Sequence, residues 1–385
     1  MARDPRELSH KVAIVGASET TEVGVLPDRS MMQLHAEAAL LALADAGLTI
    51  DDVDGVATAG PSPAQLTEYL NIIPRWVDGT SVGGGSFLMH VGHAVAAIQA
   101  GYCDVALVTH GESGRSHVGV GGRGAGPSTI GGQFEAPFGV WGPPSMFSIP
   151  IVRHMHKYGT TEEQMAEIAV ATRKWAELNP RAMMRDPITV DDVLNSRLIA
   201  WPLHLLNCCL VTDGGGALVL VSEERANDFP KKPVWVLGRG EATAHTNISM
   251  MRDMTEWTSA IQTGRDAFAM AGLSHGDIDH AMFYDAFTHV PMYALEALGF
   301  VKPGEGGPYF AEGHTAPGGD FPMNTNGGGL SYTHTGMYGM FAIMESVTQL
   351  RGEAGERQVA GLETSMVHAP AGMFSGTSTL ILGNQ

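Results

Sequence analysis

The stretch whose reading decides the architecture is SVGGGSFLMHVGHAVAAIQAGYCDVALVTHGES, residues 81–113. Three glycines open a long apolar helix, and Gly101 separates that helix from an apolar strand. A helix that is apolar nearly all round belongs in an interior. The start of such a helix carries unpaired N–H groups and the positive end of the helix dipole. Gly83, Gly84 and Gly85 let a bound group come close to that backbone, so Gly84, Gly85 and Ser86 are the expected oxyanion-type donors. Ser86 is also a favoured capping residue, and nothing beside it activates its hydroxyl for attack. A cysteine, the obvious nucleophile for such a place, is missing from the run.

The same alternation extends outward. KVAIVGAS (11–18) reads as a buried strand, and SMMQLHAEAALLALADAG (30–47) as a helix capped by Ser30 and stopped at Gly47. VDGVATAG returns as a strand, which makes the class α/β. GGGALVLVSEERA (214–226) reads as a central strand. DAGLTIDDVDGVA (45–57) is echoed by MAGLSHGDIDHAM (270–282), with Ala46-Gly47-Leu48 matching Ala271-Gly272-Leu273 and Asp52-Val53-Asp54 matching Asp277-Ile278-Asp279. The glycine–helix–strand unit at 83–110 has a second echo in NGGGLSYTHTGMYGMFAIMESVTQL and the apolar segment after it. Two echoes in one order imply a duplicated α/β half. Between the halves, the Gly/Pro-rich residues 114–149 are too long for a simple connection and read as a functional lid or a mobile insertion. TTEEQMAEIAVATRKWAELNP (160–180) reads as a helix opened by a Thr160/Glu163 capping box and stopped before Pro180.

The chain has 385 residues, 44% of them hydrophobic and 17% charged, a composition that fits two packed domains or two fused halves. A net charge of −18 argues against wrapping nucleic acid. No apolar run reaches the length needed to span a bilayer. The opening MARDPRELSHK lacks a signal peptide's apolar stretch. Three cysteines make no disulfide framework, so a cytoplasmic, reducing setting is expected. No Cys/His spacing resembles a metal site. His154 and His156, two apart, face different sides of a helix.

Chemistry-bearing residues gather in three later stretches. Tyr284 and Asp285, in MFYDAFTHVPMYALEALGF (282–300), follow a strand and precede a helix, the sheet edge where open α/β folds place ligands. NTNGGGLSYTHTG (324–336) is a tight turn that includes Gly328, a further backbone donor, and leads into His334, which is placed to polarise a carbonyl or move a proton. His368 lies in SMVHAPAGMFSGTSTL (365–380), ahead of a Pro/Gly turn.

These motifs, GGGLSYTHTG, YDAF, LNCCLVTDGGGALVL and the first glycine–helix unit, resemble the thiolase superfamily, and within it the sterol-carrier-protein-type, lipid-transfer-like branch. The resemblance runs from about residue 10 to the C-terminus, with its motifs in the family's order. It implies a thiolase-like α/β fold of five αβαβα layers, made of two related halves and an inserted loop domain. The expected boundaries are 1–113 with 211–232 for the first half, 114–210 for the insertion that helps shape a coenzyme A tunnel, and 233–385 for the second. It also implies a homodimer. The family's nucleophilic cysteine falls on Gly84–Ser86, its Asn or His before an acidic residue on Tyr284, its Gly-His-Pro histidine on His334, and its second cysteine around His368. Both sulfur positions are vacant.

Thioester exchange through an acyl-enzyme needs a soft nucleophile, whereas retro-aldol cleavage needs only a base for the β-hydroxyl proton and a hole for the enolate. The chain is similar to acyl-CoA aldolases that shorten steroid side chains, which likewise lack the cysteine and carry tyrosine in the YD-x-F motif. That branch tends to carry tyrosine where this chain has His334, so the division of acid and base roles between Tyr284 and His334 stays open. The expected activity is carbon–carbon cleavage of a β-hydroxyacyl-CoA, with Asp285 orienting its neighbours. Coenzyme A is then part of the substrate, and no tightly bound cofactor is expected. Such aldolases work with an OB-fold/zinc-ribbon (DUF35-type) partner, which is implied here too. The rival readings are a thiolase-type acyltransferase and a non-catalytic lipid- or acyl-CoA-binding subunit.

Overall fold

A computed structural model describes residues 4–118, 126 and 128–385. The first half runs β1 (Val12–Glu19), α1 (Met31–Ala46), β2 (Gly55–Thr58), α2 (Pro63–Leu70), β3 (Trp76–Asp78), α3 (Ser86–Gln99) and β4 (Val105–Ser113). An insertion follows, with α4 (Ile130–Phe134), α5 (Gly142–Tyr158), α6 (Glu162–Glu177), α7 (Val190–Asn195) and a small ladder of β5 (Leu198–Ala200) and β6 (Leu203–His204). The chain returns as β7 (Asp213–Ser222). The second half has β8 (Val234–Thr243), α8 (Thr258–Ala271), β9 (His280–Phe283), α9 (His289–Ala297), α10 (Gly306–Ala311), α11 (Gly339–Arg351), β10 (Thr364–Ala371) and β11 (Gly376–Gly383).

Nine strands of the described residues form one sheet in the order β3-β2-β4-β7-β1-β8-β11-β10-β9. The two halves meet where β1 pairs antiparallel with β8. From that seam outward the halves follow one plan. β7 and β11 run antiparallel to both neighbours, and β4 and β10 are parallel to β2 and β9. α1 packs on the first half and α8 on the second, while α3 and α11 touch strands of both. The layers are therefore αβαβα. Along α3 only His93, Ala96 and Gln99 reach solvent, which is why 86–99 is apolar nearly all round.

The duplication reaches single hydrogen bonds. After α1, Thr49 N–H and Oγ1 both donate to Asp52 Oδ2, and after α8, Ser274 does the same to Asp277 Oδ2. Asp54 then accepts the N–H groups that begin β4, and Asp279 those that begin β10. These short carboxylates recur because each must hold a crossing strand start against the preceding helix exit.

Two expectations shift. The cap of α6 is Thr161 with Gln164, one residue on from Thr160 and Glu163, because Thr160 Oγ1 is taken by His154 Nδ1. In the second half the glycine run does not open a helix. Gly328–Tyr332 form a single π-helical turn, and α11 begins only at Gly339. The segment 114–149 contains α4 and part of α5; residues 119–125 and 127, where a lid or mobile stretch was expected, lie outside the described residues.

The interior carries many histidines. Burial holds His35, His280, His289 and His368 down to about 3, and His90 and His334 to about 4. Folded-state values below the unfolded one mean that the unfolded chain binds more protons between about pH 4 and 6.5, so stability falls as pH drops through that window. His93, clasped by Asp78 and Glu241, is raised to about 9 and acts in the opposite sense, losing its contribution only as pH rises toward 9. Asp285, raised by burial to about 8, also opposes, since its cost grows as pH rises from about 4. The six neutral histidines outnumber these two. Each adds up to about 1.4 kcal/mol per pH unit, so the thermal midpoint should fall steeply from pH 6.5 to 5. A midpoint flat across that interval would contradict this reading.

Candidate active site

The site assembles where four elements converge. Tyr284 leaves the end of β9, its N–H donating to His368 O of β10 at 3.0 Å. Asn324, with φ +54, places its side chain along β9 like a further strand. Its Oδ1 accepts Phe283 N–H and its Nδ2 donates to Phe283 O, both at 2.9 Å. That clamp fixes the glycine turn beside Tyr284. Asp285 accepts Gly329 N–H at 2.6 Å and Leu330 N–H at 3.3 Å, which ties the turn to the residue after Tyr284. Gly328 sits at φ +60, and a Cβ there would meet Asp285 Oδ2 at 2.0 Å.

The turn delivers His334 to Tyr284. Tyr284 Oη and His334 Nε2 are 2.8 Å apart. Thr212, just before β7, holds His334 from behind, its Oγ1 accepting His334 N–H at 2.9 Å and its N–H donating to His334 O at 3.0 Å. Burial lowers His334 to about 4 and raises Tyr284 far above the usual phenol range, so both are neutral near pH 7. One proton then lies between the two rings. Tyr338 N–H donates to Tyr284 Oη at 3.1 Å, which favours negative charge on that oxygen. Tyr338 also packs edge-on against the Tyr284 ring, centroids 5.5 Å apart, and its hydroxyl donates to Asn326 Oδ1 at 2.7 Å. Tyr338 and Thr212 escaped the sequence reading because both act largely through backbone groups.

Above Tyr284 lies the glycine run. A Cβ at Gly84 would come within 2.1 Å of Tyr284 Cε2. The tyrosine ring thus fills the space that a side chain at the helix start would need. The backbone donors require correction. Gly85 N–H is taken by Pro370 O at 2.7 Å and Ser86 N–H by Gly83 O at 3.0 Å. Gly328 N–H goes to Asn326 Oδ1 at 2.8 Å. Gly84 N–H alone of the four has no acceptor among the described residues. The Ser86 hydroxyl donates to Gly83 O at 2.6 Å and accepts Val82 N–H at 2.9 Å, so it braces the run.

His368 does not join the pair. Its Nδ1 meets Thr379 Oγ1 at 2.8 Å and its Nε2 Thr377 Oγ1 at 3.1 Å, while its ring lies edge-on against Trp257. The strand segment that reaches the glycine run is Ala369–Gly372, just beyond it. Tyr284 is 5% and His334 8% exposed, a recessed pair rather than an open cleft. Surface cavities of 330, 310 and 450 Å³ are lined by other residues. Among the described residues no three His, Cys, Asp or Glu side chains are grouped to hold a metal ion, and no helix is long and apolar enough to cross a membrane.

The overlap between position 84 and the phenol is directly testable. Gly84→Ala should destabilise the fold by about 1–3 kcal/mol through overpacking. In a Tyr284→Ala background the same change should cost under about 0.5 kcal/mol, because the space is then open. Equal costs in both backgrounds, measured by denaturant unfolding, would contradict the contact.

Comparison with known proteins bears on the fold. The thiolase C-terminal domain-like family matches residues 240–384. The 17-hydroxy-3-oxo-4-pregnene-20-carboxyl-CoA lyase of Mycobacterium tuberculosis is 35% identical over 98% of this chain and 100% of its own. The acetyl-CoA acetyltransferase of Methanothermobacter thermautotrophicus is 34% identical over 93% of this chain and 95% of its own. Among solved structures, the Ltp2-ChsH2(DUF35) aldolase superposes with a TM-score of 0.90 at 35% identity, covering 98% of each chain. With its doubled half, its central glycine-led helix and relatives matched along nearly their whole length, the chain belongs to the thiolase superfamily.

Proposed function

We propose that the protein is an acyl-CoA carbon–carbon lyase that cleaves a β-hydroxyacyl-CoA by a retro-aldol step. The observation that carries this is the 2.8 Å contact of Tyr284 with His334 beneath a glycine run that has no room for a side chain at position 84. Tyr284 Oη takes the β-hydroxyl proton as its own proton passes to neutral His334. The Cα–Cβ bond breaks, the β-oxygen becomes a carbonyl, and the electron pair forms a thioester enolate. Gly84 N–H faces the enolate oxygen, and the proton returns from the pair to Cα. No oxidant or covalent intermediate is needed. Neutral His334 and the Tyr338 N–H make Tyr284 a workable base despite its raised pKa. Coenzyme A enters and leaves as part of substrate and product.

The similar acetyl-CoA acetyltransferase keeps acyl transfer as a second reading. The cysteines argue against it. Burial raises Cys208 to about 12 and pushes Cys209 higher still, Asp285 adding to the latter, so neither supplies a ready thiolate.

A DUF35-type OB-fold/zinc-ribbon partner is part of this proposal, since the structure it resembles is an aldolase that includes one. Ile130, Phe134, Phe138 and Trp141 of the insertion are each more than 60% exposed, an apolar surface suited to a protein partner. A homodimer would pair the sheet through β3, the edge strand of the first half, where Val77 is 52% and nearby Ile73 97% exposed. The three unpaired cysteines suit a cytoplasmic setting.

The test uses 17-hydroxy-3-oxo-4-pregnene-20-carboxyl-CoA, the compound in the similar lyase's name, with a DUF35-type protein present. Tyr284→Phe should lower kcat by about 100-fold or more, and His334→Gln by a similar factor. Undiminished cleavage by Tyr284→Phe would remove that residue from the mechanism. Ile73→Glu should shift the sedimentation coefficient from dimer to monomer, and an unchanged dimer would exclude the β3 edge.

A further inference from the structure

We infer that the cavity at the N-terminus of α8 is an oxyanion site that takes a phosphate monoester. The cavity, of 330 Å³, lies between the end of β8 and the first turn of α8, and it shares no lining residue with the Tyr284–His334 pair. His245, Arg252, Glu256, Thr258, Ser259 and Gln262 supply its polar wall, and Met250 and Met251 part of its apolar one.

Three observations converge there. α8 is a 14-residue helix whose cap, Trp257, gives no side-chain hydrogen bond. The N–H groups of Thr258 and Ser259, both lining the cavity, have no acceptor among the described residues. A helix start left open in this way favours an anion. Independently, Ser259 is only 3% exposed, yet its Oγ has no partner among the described residues. His245 Nε2 is likewise buried without a partner. Buried polar atoms are normally satisfied, and each orphan calls for an explanation. Here both residues with an orphaned atom line one cavity.

The chemistry of the wall selects the ligand. Two backbone N–H groups, a hydroxyl and the exposed Arg252 guanidinium are all donors, an arrangement suited to the several acceptor oxygens of a tetrahedral anion. Glu256 opposes it, but that carboxylate is exposed, accepts the Thr258 hydroxyl at 3.2 Å, and has Arg252 in the same wall. The volume exceeds what a bare phosphate fills, and the methionines offer the remainder to an organic group. The phosphate could come from the nucleotide end of an acyl-CoA or from a separate monoester.

The experiment titrates the full chain with inorganic phosphate by calorimetry, alongside Ser259→Asp and Arg252→Gln, with folding checked by thermal melting. Wild type should bind saturably. Ser259→Asp, which places a carboxylate in the cavity, should abolish binding, and Arg252→Gln, a change at an exposed residue, should weaken it about tenfold or more. Absence of saturable binding to wild type, or binding unaltered in both variants, would overturn the proposal. A second arm adds CoA or dephospho-CoA. Displacement of phosphate by CoA alone assigns the site to its 3′-phosphate, and displacement by neither assigns it to a separate monoester. Only this arm rests on the lyase reading, so failure of that reading leaves the phosphate titration intact.

Discussion

The phenol of Tyr284 stands where a side chain on residue 84 would have to stand, and that exclusion governs the site. The family scaffold places a helix start against the end of a strand from the other half. With glycine on the helix and tyrosine on the strand, the volume is filled by a group that can exchange a proton but is poorly suited to a thioester attack. His334, 2.8 Å away, then has a proton to share. In the proposed mechanism, chemistry at the helix start becomes proton transfer because the space for a nucleophile is occupied.

The doubled architecture is what allows this contact. α3 belongs to the first half and Tyr284 to the second, and a helix layer that packs on both halves of the sheet brings them together. α3 and α11 form that layer, and the close approach of Gly339 to Gly84 O, where a Cβ would lie 2.0 Å away, shows how tightly the two helix starts abut. Glu345 on α11 is matched by Arg357, Thr325 and Gln349, which keeps a buried carboxylate tolerable.

Much of this was legible in the sequence, for physical reasons that differ by residue. The fold was readable because the helix-exit Asp residues occur twice and a glycine run precedes an apolar helix in each half, and a duplicated pattern carries more weight than a single one. Tyr284, Asp285 and His334 stood out less by residue type, since a lone Tyr or His is more often structural, than by the repeated pattern and the family resemblance that place them at one strand end and glycine turn. The backbone donors were not readable. Gly85 N–H is lost to Pro370 on β10, and Gly328 N–H to a side chain two residues away, and nothing in a linear pattern announces which carbonyl will arrive. His368 misled for a similar reason. The register of β10 against β11 sets it opposite Thr379, so its ring turns to threonines across the hairpin. The second glycine run was placed at a helix start by analogy with the first, but a π-helical turn intervenes.

The most direct test of the central claim is intact-protein mass spectrometry during turnover of a β-hydroxyacyl-CoA. The account predicts an unchanged protein mass at every time point while a shortened acyl-CoA and a carbonyl product accumulate. A transient species heavier by one acyl group would contradict it, because the chain would then be capturing its substrate covalently.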